Sequence, residues 1–83
     1  METIAPRYSK EEFARRGDAI YENLLRSHIT HDDDGKYVLI DIETAEYEID
    51  EDELAASDRL LARNPTAQVW MRQIGTRGAR RFG

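Results

Sequence analysis

No cysteine occurs among the 83 residues, so no disulfide can staple this chain and no thiolate can act as nucleophile or metal ligand. A reducing, cytoplasmic setting is compatible with that and is the expectation. Long apolar runs are also missing: the longest unbroken one, residues 37–40, is four residues against the roughly 20 needed to span a bilayer. Residues 1–8 show no basic region followed by an apolar one, so they do not read as a secretory signal. Positive charge is scarce in the middle. Residues 32–58 hold twelve acids and the single base Lys36, whereas residues 59–83 hold six arginines and no acid. Residues 1–31 balance five acids against five bases, so the total of −5 conceals a net −11 segment beside a net +6 segment. Such a chain can neutralise itself when folded, or within a dimer, or present two faces to two partners.

What is present suits one small domain. A chain of this length buries about 60 to 65% of the surface its unfolded form exposes, so the core is thin. The organisation expected is a flexible leader (residues 1–8), a single domain (residues 9–75) and a basic flexible tail (residues 76–83). Ser9, Lys10, Glu11 and Glu12 form a capping box, and Phe13, Gly17, Ile20, Leu24 and His28 recur on one stripe, predicting an amphipathic helix over about residues 10–27. Gly17 breaks that stripe, either because another backbone approaches closely or because it is merely tolerated.

Residues 36–43 are dense in strand formers and alternate, with Val38, Ile40 and Ile42 on one face and Tyr37, Leu39, Asp41 and Glu43 on the other. Residues 46–49 alternate again, which predicts a hairpin with Tyr47 and Ile49 inward. Asp50 and Glu53 open a second helix that Asn64 and Pro65 stop, and residues 68–74 form a third strand. A right-handed crossover makes the second and third strands parallel to each other. The expected fold is therefore α+β, in the order α-β-β-α-β, with an antiparallel sheet ordered 2-1-3 and both helices on one face.

Candidate sites are few. Thr30, Asp32 and Asp34 before Gly35 imitate the start of a calcium loop, but the twelfth position would be Asp41 rather than a bidentate glutamate and the residues between read as strand. His28 and His31 have the spacing to share a zinc ion, yet no third ligand or supporting partner is evident. Ser27 beside His28 shows no nucleophile geometry, and Asp41, Glu43, Glu46 and Glu48 read as a solvated hairpin face that guards against edge pairing. No cofactor, metal or catalytic residue is expected, and no enzymatic activity. The tail, with Arg77, Arg80, Arg81 and Phe82, has the composition of segments that order on nucleic acid or on an acidic protein. If Val69 and Met71 pack inward, Tyr37, Leu39, Trp70 and Ile74, with Arg72 among them, form a patch on an open sheet face that would dock a partner. The competing arrangement turns Trp70 into the core.

With residues 37–44, 46–56 and 60–65 in view, the chain resembles a family of short uncharacterised bacterial proteins that share a capped first helix, an acidic hairpin and this second helix. The resemblance covers about residues 8–75 and implies an antitoxin-like role in size and layout beside a small partner, with no functional residue carried over. The reading is a non-enzymatic interaction module that binds a protein partner or itself through the sheet. The alternative is a nucleic-acid accessory protein that uses the arginine tail, and neither reading involves a membrane.

Overall fold

Six elements follow one another in the computed structural model, which describes residues 8–75. Helix α1 (Lys10–Ser27) starts at Ser9, whose hydroxyl oxygen accepts from the Glu12 amide at 3.1 Å. The reciprocal half of the expected box is replaced: the Glu12 carboxylate takes hydrogen bonds from Arg16, at 2.8 Å, and from Arg15. Bonds from Arg16 and then Arg15 hold the Glu12 carboxyl below its usual range. Tyr8, placed with the leader in the sequence reading, donates its hydroxyl to Glu43 at 3.1 Å and lies under the Arg16 guanidinium. The tail lies outside the described residues.

A 3₁₀ turn (His31–Asp33) joins α1 to the sheet. Thr30 accepts from the Asp32 amide while the Asp33 carboxylate accepts from the Thr30 amide. Asp33 also meets Lys36 at 3.5 Å, so this part of the acidic run closes a turn. Strands β1 (Tyr37–Asp41), β2 (Tyr47–Asp50) and β3 (Val69–Gln73) form an antiparallel sheet in the order β2-β1-β3, and helix α2 (Glu53–Arg63) links β2 to β3. Element order and sheet order are those expected from the sequence. The cap of α2 is two residues later: Asp52 accepts from the Leu54 amide, and Asp50 instead accepts from the Asp52 amide.

The helices lie on opposite faces of the sheet, which corrects the expectation that both share one. Val38, Ile40 and Ile74 pack with Tyr21 and Leu24 of α1, and Tyr47, Ile49 and Trp70 join that cluster. Leu39 packs with Ala56 and Leu60 of α2, joined by Tyr37 and Val69. Because side chains alternate along β1, these two clusters occupy its two sides. The physical reason is in β1 itself: its last four residues are all buried, which is how a strand covered on both faces reads.

One buried group ties the loops together. Asp41, with no exposed surface, accepts from the Glu43 amide at 3.0 Å, the Thr44 hydroxyl at 3.0 Å, the Asn64 amide side chain at 2.6 Å and the Gln68 amide at 3.3 Å. The β1–β2 turn, the end of α2 and the approach to β3 therefore converge on one carboxylate, so a group read as hairpin surface is an internal anchor.

Candidate functional site: the free edge of strand β3

The hydrogen-bond phase of the sheet decides which groups face outward. Ile74 donates to the Lys36 carbonyl and Ile42 to the Gln68 carbonyl, whereas Asp41 donates to the Glu46 carbonyl. In an antiparallel pair, bonded and non-bonded positions alternate. Lys36, Val38, Ile40 and Ile42 thus serve β3, and Tyr37, Leu39 and Asp41 serve β2. Along β3 this leaves the N–H and C=O groups of Val69, Met71 and Gln73 pointing away from the sheet, and among the described residues none pairs with them.

The two sheet edges are unlike. The outer side of β2 meets α2: Arg63 donates to the Tyr47 carbonyl at 3.4 Å and bonds to Glu48, and Arg59 meets Glu48 at 2.7 Å and Asp50 at 3.0 Å. Bonds from Arg63 and Arg59 hold the Glu48 carboxyl below its usual range. The Asp52 amide first, and then Arg59, do the same to Asp50. Among the described residues, the edge of β3 carries one charged side chain, Arg72, paired with Asp18 on the α1 side, and no proline.

On the α2 side of β3, Met71 is 49% exposed, and on α2 itself Leu54 is 69% exposed. Arg59 and Arg63 mark the flank of α2 that faces β2. At 100° per residue, Leu54 and Leu61 fall on the opposite flank, toward β3. Exposed apolar side chains therefore stand on the α2 side of the sheet, Met71 on the free edge and Leu54 on the flank of α2 turned toward it, with Val69 half-buried two residues before Met71. On the α1 side, Arg72 lies 5.2 Å from the Tyr21 ring centroid and 5.9 Å from that of Trp70, and it meets Asp18 at 3.5 Å. Trp70 and Tyr21 are 5.7 Å apart and tilted.

These positions rearrange the residues named from sequence. Trp70 and Arg72 stand together on the α1 face, half-buried and exposed respectively. Ile74 is on that same face but is only 2% exposed, and Leu39, at 3%, is enclosed by α2. Leu39 is covered by α2, and Ile74 is packed against α1 at the bottom of an open cleft, so neither belongs to an open sheet face. Tyr37 is half-buried on the α2 face and so cannot share a surface with Trp70. Arg77, Arg80, Arg81 and Phe82 lie outside the described residues. Met71 and Leu54, the exposed apolar side chains on the α2 side, were not among the candidates named from sequence. The available signal was an outward flank on a helix whose buried side is filled by Ala56 and Leu60.

Other candidates are less developed. Ser27 does contact His28, at 2.9 Å from Nδ1, but its hydroxyl also donates to the Asn23 carbonyl at 2.7 Å, and the His28 ring lies tilted against that of Tyr47, 5.9 Å between centroids. A nucleophile requires a base that is itself oriented by a third group, and no such relay is seen among the described residues. An open cleft of about 370 Å³ has Tyr21, Leu25, Ile29 and Ile74 as its apolar wall and His31 and Asp34 at its rim. Among the described residues, no group of three or more His, Asp or Glu side chains is placed to hold a metal ion, and no helix is long and apolar enough to cross a membrane. No protein-family model, curated protein or solved structure matches the chain.

Proposed function

We propose that this chain is a non-enzymatic protein-interaction module that docks through the β3 side of its sheet. The observation that carries this reading is the exposure of Met71 on a strand edge whose outward backbone groups have no partner among the described residues, with exposed Leu54 on the same side of the sheet. A strand edge supplies directional hydrogen bonds and an apolar border supplies affinity, the combination used in strand addition. An antitoxin-like role beside a small protein is the biological setting that the resemblance suggests. The described arginines support a protein partner over nucleic acid: Arg59 and Arg63 are held by Glu48, and Arg72 meets Asp18. In the nucleic-acid reading the contacts are Arg77, Arg80 and Arg81 of the tail.

Affinity capture from the source cells tests the reading when run in parallel with wild-type protein and a Leu54→Lys/Met71→Lys double variant. A protein held by the wild type and lost with the variant supports docking through this side. A protein held equally by both removes the β3 side from the mechanism. Retardation of RNA or DNA at low salt, abolished by replacing the three tail arginines with alanine, would favour the nucleic-acid reading instead.

A further inference from the structure

We infer that the occupant of the β3 edge is a second copy of this chain, its β3 lying antiparallel to the first about a two-fold axis at Met71. The inference rests on the docking reading above and names the partner. Three observations converge on it.

The outward positions are self-complementary. With Met71 opposite Met71 of the other copy, Val69 faces Gln73 and Trp70 faces Arg72. The two copies exchange backbone bonds at positions 69, 71 and 73, the groups left unpaired in one copy. No like charges stand directly opposed in this register. Arg72, already over the Tyr21 ring and near Trp70 within its own copy, meets a second indole, and the non-bonded pair is the one in which side chains approach most closely.

Charge separates the two edges in the same sense. The acidic residues Glu46, Glu48 and Asp50 belong to the β2 side, about 10 Å from β3 at two strand spacings. Pairing through β3 therefore keeps the two acidic β2 edges at opposite ends of a six-stranded sheet, whereas pairing through β2 would bring them together.

The helices also fit. Helix α1 lies over β1 and β3 alike, which places its axis about 5 Å from the two-fold, so the two α1 axes stand about 10 Å apart, within the range at which helices pack. Helix α2 lies over β1 and β2 and stays clear of the axis. Strand addition would thus set the two α1 helices side by side at packing distance, with both α2 helices away from the seam.

Light scattering on a sizing column and cysteine cross-linking test the inference. Wild-type protein at about 0.5 mM is expected at twice its 9.6 kDa, and Met71→Lys, which sets two like charges face to face at the axis, is expected to raise the dimer dissociation constant at least about tenfold. The chain has no native cysteine, so single introduced thiols report the register. Met71→Cys should oxidise to a covalent dimer, whereas Val69→Cys should not, because its symmetry mate is displaced by four residues, about 13 Å along the strand. A wild type that remains at 9.6 kDa, a dimer indifferent to Met71→Lys, or a Val69→Cys that links as fast as Met71→Cys would each overturn it. A monomeric wild type that nevertheless loses a captured protein on the Met71→Lys substitution would discard the second copy and retain the docking reading.

Discussion

Gly17 and Trp70 are in direct contact, backbone against ring: the indole occupies the position that a β-carbon on residue 17 would take. The glycine that interrupts the α1 stripe is thus there to seat an aromatic side chain rather than another backbone. Gly17→Ala would gain about 1 kcal/mol of helix propensity, but it would overpack the indole at a cost of about 1 to 3 kcal/mol. We expect net destabilisation of about 1 kcal/mol by urea unfolding. Combining it with Trp70→Leu should leave less than the sum of the two single losses, because the smaller side chain vacates the space. An additive pair would mean that the contact is not what constrains residue 17.

Asp41 accepts four hydrogen bonds while wholly buried. Asp41→Asn keeps the shape but exchanges one acceptor oxygen for an amino group, which on the Oδ1 side would meet two backbone amides donor to donor and on the Oδ2 side would force the Thr44 hydroxyl and the Asn64 amide both to turn round and accept. The expected loss is about 1 to 3 kcal/mol. Asn64→Ala, which withdraws one donor, should cost less. Equal losses in the two variants would show that the α2 end, rather than the whole four-way junction, depends on this carboxylate.

The parts of the fold legible in the sequence were those set by local chemistry. Ser9 capping α1, Asn64 with Pro65 ending α2, and the alternation of Val38 and Ile40 against Leu39 each follow from residue type and spacing, and each is present. The face of each helix was not legible, because β1 offers an apolar set on both sides and alternation alone cannot say which set α2 covers. Asp41 was misplaced for a related reason: it shares a side with Glu43 in the pattern, but the chain turns immediately after it and α2 closes over it. The candidate site shifted accordingly, from an open sheet face to an edge and the exposed apolar side chains on its α2 side. Trp70 and Arg72 kept a place there, while Leu39 and Ile74 were enclosed.

Glu48 makes stability pH-dependent in a definite direction. Arg63 and Arg59 lower its folded pKa from the ordinary 4.5, so its contribution is complete above that value. The contribution is lost as pH falls from there through the depressed folded value, since the unfolded chain takes up the proton first. Asp50, lowered from 3.8 by the Asp52 amide and by Arg59, extends the same limb downward. Thermal midpoints measured from about pH 7 to about pH 2 should fall below the ordinary carboxylate range, and modestly, because solvent screens these partly exposed pairs. Glu48→Gln should start lower at neutral pH and decline less. Parallel curves for the two proteins would assign the acid limb to other carboxylates.

Ala45 in the β1–β2 turn has φ of 68°, in the left-handed region. A β-carbon costs roughly 1 to 2 kcal/mol there, whereas a glycine costs only about 0.4 to 1 kcal/mol through the freedom it adds to the unfolded chain. Ala45→Gly is therefore expected to stabilise by about 0.5 to 1 kcal/mol. Chemical unfolding checks this, and a destabilised variant would show that the turn adopts another conformation in solution.

Leu60 and Leu54 sit on the same helix with opposite roles. Leu60 has no exposed surface and joins Leu39 and Ala56, whereas Leu54 is 69% exposed. Leu60→Ala leaves a cavity under α2 and should cost about 2 to 5 kcal/mol. Leu54→Lys removes little packed surface and sits within a turn of the Asp52 cap at the positive end of α2, where a cation is slightly unfavourable, so its loss should stay within about 0.5 to 1 kcal/mol. The same substitution places charge on the α2 side of the sheet, where docking would feel it. A Leu54→Lys protein about as destabilised as Leu60→Ala would mean that Leu54 belongs to the core of the fold. If stability holds and capture is lost, the leucine's exposure serves a surface met by another chain.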